Sequence, residues 1–120
     1  GLVLGDGTLY FEGQTGKGMT WFFGKPENLE ELRRSLAPWC TVSRVYSRRR
    51  THRIHTDYGE RRFEATNTCC RVASSGFAVL LALLGCPVGN KSLQDFEVPG
   101  WLRRAPLWQQ RLFLSAYFGA

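Results

Sequence analysis

The sequence predicts an α+β fold with one four-stranded antiparallel sheet and helices packed on one face of it. Three observations lead to this prediction. Two pairs of β-rich segments are each joined by a turn-rich stretch, a helical segment follows each pair, and the chain holds 43% hydrophobic and 22% charged residues. A chain of 120 residues with this balance can bury its own core, so we expect a single domain.

The first half of the chain predicts a hairpin followed by a helix. Residues 8–11 and 19–23 are β-rich, and the stretch between them is rich in glycine. Pro26 then stands where a helix begins, with acidic residues in its first turns and arginines later, as the helix dipole favours. Pro38 ends this helix.

The second half predicts another hairpin and then only helices. Its strands span residues 41–55 and 61–72 around a turn at 57–59. Ser74 or Ser75 can cap the helix that follows, and Gly85 can end it. The remaining helical segments are predicted at 77–84, 92–96, 99–106 and 107–118.

The charge is strongly basic and comes almost entirely from arginine. The chain has 16 Lys+Arg against 10 Asp+Glu, a net charge of +6 and a pI near 9.6, and all but three of the basic residues are Arg. The guanidinium group is a fork of donors that suits phosphates and guanine edges. Nucleic acid is therefore the leading partner class, the alternative being a basic protein with no such partner.

The second hairpin carries most of the candidate nucleic-acid contacts. A two-stranded ribbon fits the DNA major groove, and a charged hairpin that only avoids edge pairing is the alternative. Period-two alternation predicts that Val42, Tyr46 and Ile54 share a face with the even-numbered arginines, but not which face meets DNA. The predicted DNA-binding residues are Gln14, Lys17, Arg44, Tyr46, Arg48, Arg49, Arg50, His52, Arg53, Arg61 and Arg62.

The cysteines indicate the cellular compartment in which the protein works, and the apolar runs indicate whether it enters a membrane. No C-x-x-C pair exists among the four cysteines, which favours reduced, packed thiols and a cytoplasmic location over a zinc site. No apolar run reaches the length of a membrane span, and no secretory signal is visible, so no membrane is expected.

The four tryptophans are expected in the core and between helices.

Both ends of the chain carry a family resemblance. Residues 1–7 (GLVLGDG) resemble the second part of the LAGLIDADG motif of homing endonucleases, and residues 114–120 (LSAYFGA) resemble the same motif again. With residues 1–7 predicted as the end of a helix before the first hairpin, the predicted element order also resembles the αββαββα repeat of that family. Residues 98–106 are similar to archaeal intein-borne members. The resemblance implies a single homing-endonuclease repeat over residues 1–120, clipped inside both motifs.

This resemblance implies a metal-dependent DNA endonuclease that recognises a long double-stranded site. Asp6 would ligate Mg²⁺ together with the Gly5 carbonyl, and a cation there would also offset the unfavourable dipole at a helix end. Lys25 and Arg71 would be further catalytic residues. A second repeat in cis or a homodimer partner would supply the other carboxylate. The alternatives are a simple turn at residues 5–7, a non-catalytic DNA-binding module, and an RNA-binding maturase.

Overall fold

A computed structural model describes residues 1–119, and within them the chain forms two hairpins, each followed by a helix. We number the strands and helices in chain order. They are β1 (Thr8–Phe11), β2 (Gly18–Phe23), α1 (Pro26–Leu36), β3 (Tyr46–Thr56), β4 (Gly59–Val72), α2 (Ser75–Leu83), α3 (Gly100–Arg103) and α4 (Leu107–Phe118), with a 3₁₀ turn at Lys91–Leu93. The predicted helix end over residues 1–7 is instead a series of turns, held by a hydrogen bond from the N–H of Gly5 to the carbonyl of Gly1.

The four strands form one antiparallel sheet in the order β1-β2-β4-β3. Two residues, Asp57 and Tyr58, connect β3 to β4, and Thr56 pairs directly with Gly59. Gly59 has φ +113°, a backbone conformation that side chains disfavour, which explains a glycine at this tight turn. The α+β prediction and the four-stranded antiparallel sheet are confirmed.

The core lies on one side of this sheet. Leu9, Phe22, Cys70 and Val72 point to that side from three strands, and Leu29 of α1 packs against them. Ala78 of α2 belongs to the same buried cluster. Helices α1 and α2 therefore cover one face, as predicted, and the opposite face of the sheet remains available to solvent.

Helix α2 lies unusually close to β2. The Ser75 hydroxyl accepts a hydrogen bond of 2.9 Å from the backbone N–H of Gly18. A Cβ atom built on Gly18 would lie 2.5 Å from the Cβ of Ala78 and 2.9 Å from the Cα of Ser75. Only glycine permits this approach, so the position of α2 on the sheet depends on Gly18.

The ends of α2 follow the sequence signals. The Ser74 hydroxyl accepts a hydrogen bond from the N–H of Phe77, which confirms one of the two predicted caps. At the other end Gly85 has φ +96°, and the N–H groups of Gly85 and Cys86 return to the carbonyls of Ala82 and Leu81. This is a Schellman ending, so Gly85 stops the helix as predicted.

The C-terminal helices are much less buried than the sheet. No residue of α4 is buried, and Trp108 is 64% exposed. Trp39 is 83% exposed, so the expectation that the tryptophans lie in the core and between helices is wrong for this residue. No helix in residues 1–119 combines the length and apolar character needed to cross a membrane.

Candidate nucleic-acid interface

The second hairpin extends far beyond the rest of the sheet. Strand β2 pairs with β4 only over residues 69–72, and β3 is an edge strand. Residues 47–68 therefore form a ribbon of two strands with solvent on both sides, which we call the ribbon. At about 3.3 Å per residue, its ten residues on each side of the ladder span about 30 Å.

The register divides the ribbon side chains between two faces. Because side chains alternate along a strand, directly opposed residues share a face. Arg48 pairs with Asn67, whereas the next residue, Arg49, pairs with Thr66. We call the first face the open face; on the ribbon its members are Arg48, Arg50, His52, Ile54, Arg61, Phe63, Ala65 and Asn67. We call the other the paired face; its members are Ser47, Arg49, Thr51, Arg53, His55, Glu60, Arg62, Glu64, Thr66 and Thr68.

Carboxylates offset the arginines of the paired face. Arg49 forms an ion pair with Glu64 at 3.6 Å. Arg53 and Arg62 both approach Glu60 at 3.7 Å. These exposed pairs contribute little stability, but they lower the positive potential of this face.

The arginines of the open face have no such partners. Within residues 1–119, Arg48, Arg50 and Arg61 make no ion pair, and no Asp or Glu belongs to this face of the ribbon. The two faces thus carry three arginines each, but only the open face keeps its full positive charge. An anionic partner is attracted to the open face.

Aromatic rings accompany this charge. The rings of His52 and Phe63 stack with centroids 5.1 Å apart and 17° between their planes. Where the ribbon joins the sheet, Trp21 and Tyr46 meet edge to face at 6.4 Å. The guanidinium carbon of Arg71 lies 5.7 Å from the Trp21 ring centroid. The open face therefore offers stacking surfaces beside arginines along its whole length.

The phenol of Tyr46 can donate a hydrogen bond on this face at neutral pH. Burial and the neighbouring Cys69 thiol raise the pKa of the Tyr46 phenol, while Arg71 and Arg48 act in the opposite direction. The phenol therefore stays protonated and can donate a hydrogen bond.

A β-bulge changes which side chains precede the ribbon. Tyr46 pairs with Cys69, but Val42 forms a bridge with Val72. Four residue steps lead from Tyr46 back to Val42, but only three lead from Cys69 to the opposed Val72. The segment before β3 therefore contains one extra residue. The extra residue turns Val42 into the core, and the prediction that Val42 shares a face with Arg48 is wrong.

Two of the predicted catalytic residues line a common groove. A groove of about 650 Å³ is bordered by Asp6, Lys25 and Arg50, together with Thr66, Asn67 and Thr68 from both faces of β4. A second cavity of about 330 Å³ adjoins it and shares Asp6, Phe23, Gly24 and Lys25 with it. Arg71 borders neither space, because it lies beside Trp21 on the open face.

The predicted metal ligand Gly5 already has a cationic partner. The ammonium group of Lys91 donates hydrogen bonds to the carbonyl oxygens of Val3 at 2.9 Å, of Leu4 at 3.2 Å and of Gly5. Burial lowers the pKa of Lys91, and the charge of Asp6 opposes this shift. The Lys91 ammonium group thus supplies a positive charge beside the carbonyl that was predicted to ligate magnesium, and the prediction that Gly5 ligates a metal ion stays a prediction.

Asp6 itself is exposed and is the only carboxylate among the described residues that border the groove. In the described part of the chain, no three His, Cys, Asp or Glu side chains come together as a metal-binding group. The magnesium prediction therefore gains no support from the arrangement of these residues and remains a prediction.

The remaining predicted residues lie apart from the ribbon. Gln14 and Lys17 belong to the turn between β1 and β2, next to Gly18, whereas the ribbon begins opposite Phe23. Five residues of strand, about 17 Å, separate these two ends of β2. Arg44 is exposed within the bulge. The structure therefore does not bring the first turn together with the ribbon.

Sequence reasoning missed several residues of this surface. Trp21 was assigned to the core, and Phe63 was not grouped with the arginines of the open face. A signal existed for Phe63, because it alternates with Arg61 on the same strand. No local signal existed for Asn28, which borders the smaller cavity through the packing of α1.

These features describe an α+β chain with a basic β-ribbon. Over the whole 120 residues it is 38% identical to part of a tRNA-splicing ligase RtcB from Pyrococcus furiosus. The same name applies to a protein of Methanocaldococcus jannaschii that is 36% identical over 126 residues. The chain spans only 12% and 13% of the length of these two relatives.

A relative with a different name matches the same segment. The DNA-directed RNA polymerase subunit Rpo1N of Methanocaldococcus jannaschii is 29% identical over 122 residues, again over all of this chain and 9% of its own length. No family model matches the chain. No solved structure matches it either.

These comparisons correct the family prediction. The resemblance to LAGLIDADG homing endonucleases rested on two seven-residue runs, and runs of Gly and Asp of this kind occur in ordinary turns. Four relatives that match over the whole chain carry the name of a tRNA-splicing ligase, and no family model supports the resemblance or an intein. The specific homing-endonuclease repeat is not confirmed, and the prediction of one clipped repeat remains untested.

The functional predictions drawn from that family are corrected with it. A metal-dependent DNA endonuclease and double-stranded DNA as its partner do not agree with relatives named for tRNA splicing. The prediction that a second repeat or a homodimer partner completes a nuclease site is wrong for the same reason. The alternatives of a non-catalytic DNA-binding module and of a maturase receive no specific support.

Proposed function

We propose that this chain is an RNA-binding segment of a longer protein that acts on RNA, and that the open face contacts the RNA. The observation that carries this proposal is the difference between the two faces of the ribbon. Arg48, Arg50 and Arg61 have no carboxylate partner among the described residues, whereas three ion pairs occupy the arginines of the paired face.

The chemistry of the open face suits RNA in particular. Arginines bind phosphates, and exposed aromatic rings stack on unpaired bases, which are common in structured RNA and absent from a regular duplex. Phe63 supplies an exposed ring, and the half-buried rings of His52 and Trp21 lie on the same side of the sheet beside arginines. The names of four relatives, which refer to tRNA splicing, support RNA as the nucleic acid.

We assign binding rather than ligation to this segment. It covers about an eighth of the ligases it resembles, and a polymerase subunit contains a similar segment. A segment shared by two differently named enzymes is better suited to a task common to both, such as holding RNA.

The four free thiols of the described chain also support the proposal that the protein works in the reducing cytoplasm.

The test compares two triple variants that remove the same number of charges. Arg48, Arg50 and Arg61 are changed to Gln in the first variant, and Arg49, Arg53 and Arg62 in the second. Affinity for a labelled tRNA is measured by fluorescence anisotropy across a range of salt. The first variant should flatten the dependence of log K on log salt by about two to three, at roughly 0.7–0.9 for each lost phosphate contact.

The second variant is the matched control and should lose much less affinity. Equal losses in the two variants would mean that only net charge matters, and the open face would not be the interface. A duplex DNA with the same number of nucleotides is measured in parallel. Tighter binding of this DNA than of tRNA would overturn the assignment to RNA.

A further inference from the structure

The smaller cavity has the composition of a binding pocket. Its volume is about 330 Å³, and its walls include the apolar side chains of Leu2, Phe22, Leu29 and Leu32. Ligand pockets typically measure about 300–1,000 Å³ and combine apolar walls with a few polar groups. This cavity lies at the lower end of that range, so it suits a small ligand with apolar surface.

Three different polar groups meet at the rim of this cavity. Asp6 contributes a carboxylate, Lys25 an ammonium group and Asn28 an amide. Among residues 1–119, none of these three side chains makes a hydrogen bond or an ion pair with another residue. The rim can therefore offer both donors and acceptors to a ligand.

The cavity lies on the helix side of the sheet, where Phe22 and Leu29 belong to the core, and the larger groove connects it with residues of both faces of the ribbon. It shares Asp6 and Lys25 with the larger groove, and that groove reaches Arg50 and Asn67 of the ribbon. A polyanion bound along the ribbon is thus led to the mouth of the cavity, where Lys25 adds another positive charge.

We infer that the cavity receives one unpaired base of the bound RNA; this rests on the function proposed above. A nucleobase has flat apolar faces for the walls and a polar edge that Asp6 and Asn28 can hydrogen-bond. Lys25 and Arg50 lie where the adjoining phosphates pass. A paired base must first leave its stack at a free-energy cost, so the site selects nucleotides that are already unpaired.

The test uses an RNA hairpin with a single bulged 2-aminopurine and the same hairpin fully paired. The bulged RNA should bind about tenfold more tightly, the gain expected for burying one base. The 2-aminopurine fluorescence should change on binding, because the base exchanges water for the cavity walls. Equal affinity of the two RNAs, or fluorescence that does not change, would overturn the inference.

Variants of α1 test whether the preference for the bulged RNA comes from the cavity. Asn28→Ala and the cavity-filling Leu32→Trp should remove the preference for the bulged RNA and leave the affinity for the paired hairpin unchanged. Ser35→Ala is the matched control, because Ser35 is exposed on the same helix and does not border the cavity. Circular dichroism checks that each variant is folded, and Asn28→Ala decides the result if Leu32→Trp does not fold.

The two proposals fail in different ways. If the triple variant of the open face binds both RNAs as well as the wild type, the proposed RNA-binding face is wrong. If that variant loses affinity while Asn28→Ala keeps the preference for the bulged RNA, only the base-binding cavity is wrong.

Discussion

The ammonium nitrogen of Lys91 lies 2.9 Å from the carbonyl oxygen of Val3, although 88 residues separate them in the chain. The same nitrogen also donates to the carbonyls of Leu4 and Gly5. It therefore ties the turn at the start of the chain to the loop before the C-terminal helices. The carbonyls at the end of such a turn have no backbone partners, and a cation satisfies them and the local dipole.

We expect Lys91→Met to lower the free energy of unfolding by about 1–3 kcal/mol, because three carbonyl oxygens lose a charged donor. Urea denaturation followed by circular dichroism measures this change. Lys17→Met is the control, since Lys17 is exposed in the turn between β1 and β2 and the variant loses the same charge. Equal unfolding free energies for the two variants would show that the Lys91 hydrogen bonds contribute no net stability.

Gly18→Ala should destabilise the protein by about 1–3 kcal/mol, the cost of forcing a methyl group into a packed contact. The new Cβ would lie 2.5 Å from Ala78 and 2.9 Å from Ser75, so α2 must move away from the sheet. Gly13→Ala is the matched control, because no atom lies within 4 Å of a Cβ built there. Thermal unfolding of both variants decides the question; a Gly18→Ala protein as stable as Gly13→Ala would contradict this packing.

The Cys70 thiol should make the protein less stable at alkaline pH. Burial, with smaller effects from Cys69 and Glu30, raises the pKa of Cys70 from 9.0 to about 11. Between these two values the unfolded thiol has lost its proton while the folded thiol retains it, so rising pH favours unfolding. The contribution of the Cys70 thiol to the free energy of unfolding is therefore constant below about pH 9 and is lost progressively up to about pH 11.

Cys70→Ala isolates that contribution. We expect the stability difference between wild type and Cys70→Ala to be constant from pH 6 to 8 and then to shrink as the pH rises through the window. Denaturation curves at each pH measure both proteins, so the other titrating groups cancel in the difference. A difference that stays constant to pH 11 would mean that the thiol titrates alike in both states.

Local signals were sufficient for most of the secondary structure. Pro26 begins α1 and Ser74 caps α2 as predicted, because both residues act on the backbone within a few positions of themselves. Helix α4 spans the predicted residues 107–118. The turn before Gly59 also has a local cause, since it requires a glycine with positive φ.

Assignment from short motifs was less secure than these local signals. Seven residues at each end pointed to a nuclease family, whereas the relatives that match along all 120 residues carry other names. A short run of Gly, Asp and apolar residues is compatible with many turns and helix ends, so it contains little information about chemistry.

The sequence by itself determined that this chain is a basic α+β protein with an arginine-rich hairpin, because composition and periodicity act locally. Only the tertiary structure decided which arginines are free to bind. Arg48 and Arg49 are neighbours with identical side chains, yet Arg49 reaches Glu64 across the ladder and Arg48 does not. Strand register makes that difference. The bulge before Tyr46, the close approach of Gly18 to α2, and the cavity beside Asp6 and Lys25 likewise depend on contacts between residues distant in the chain.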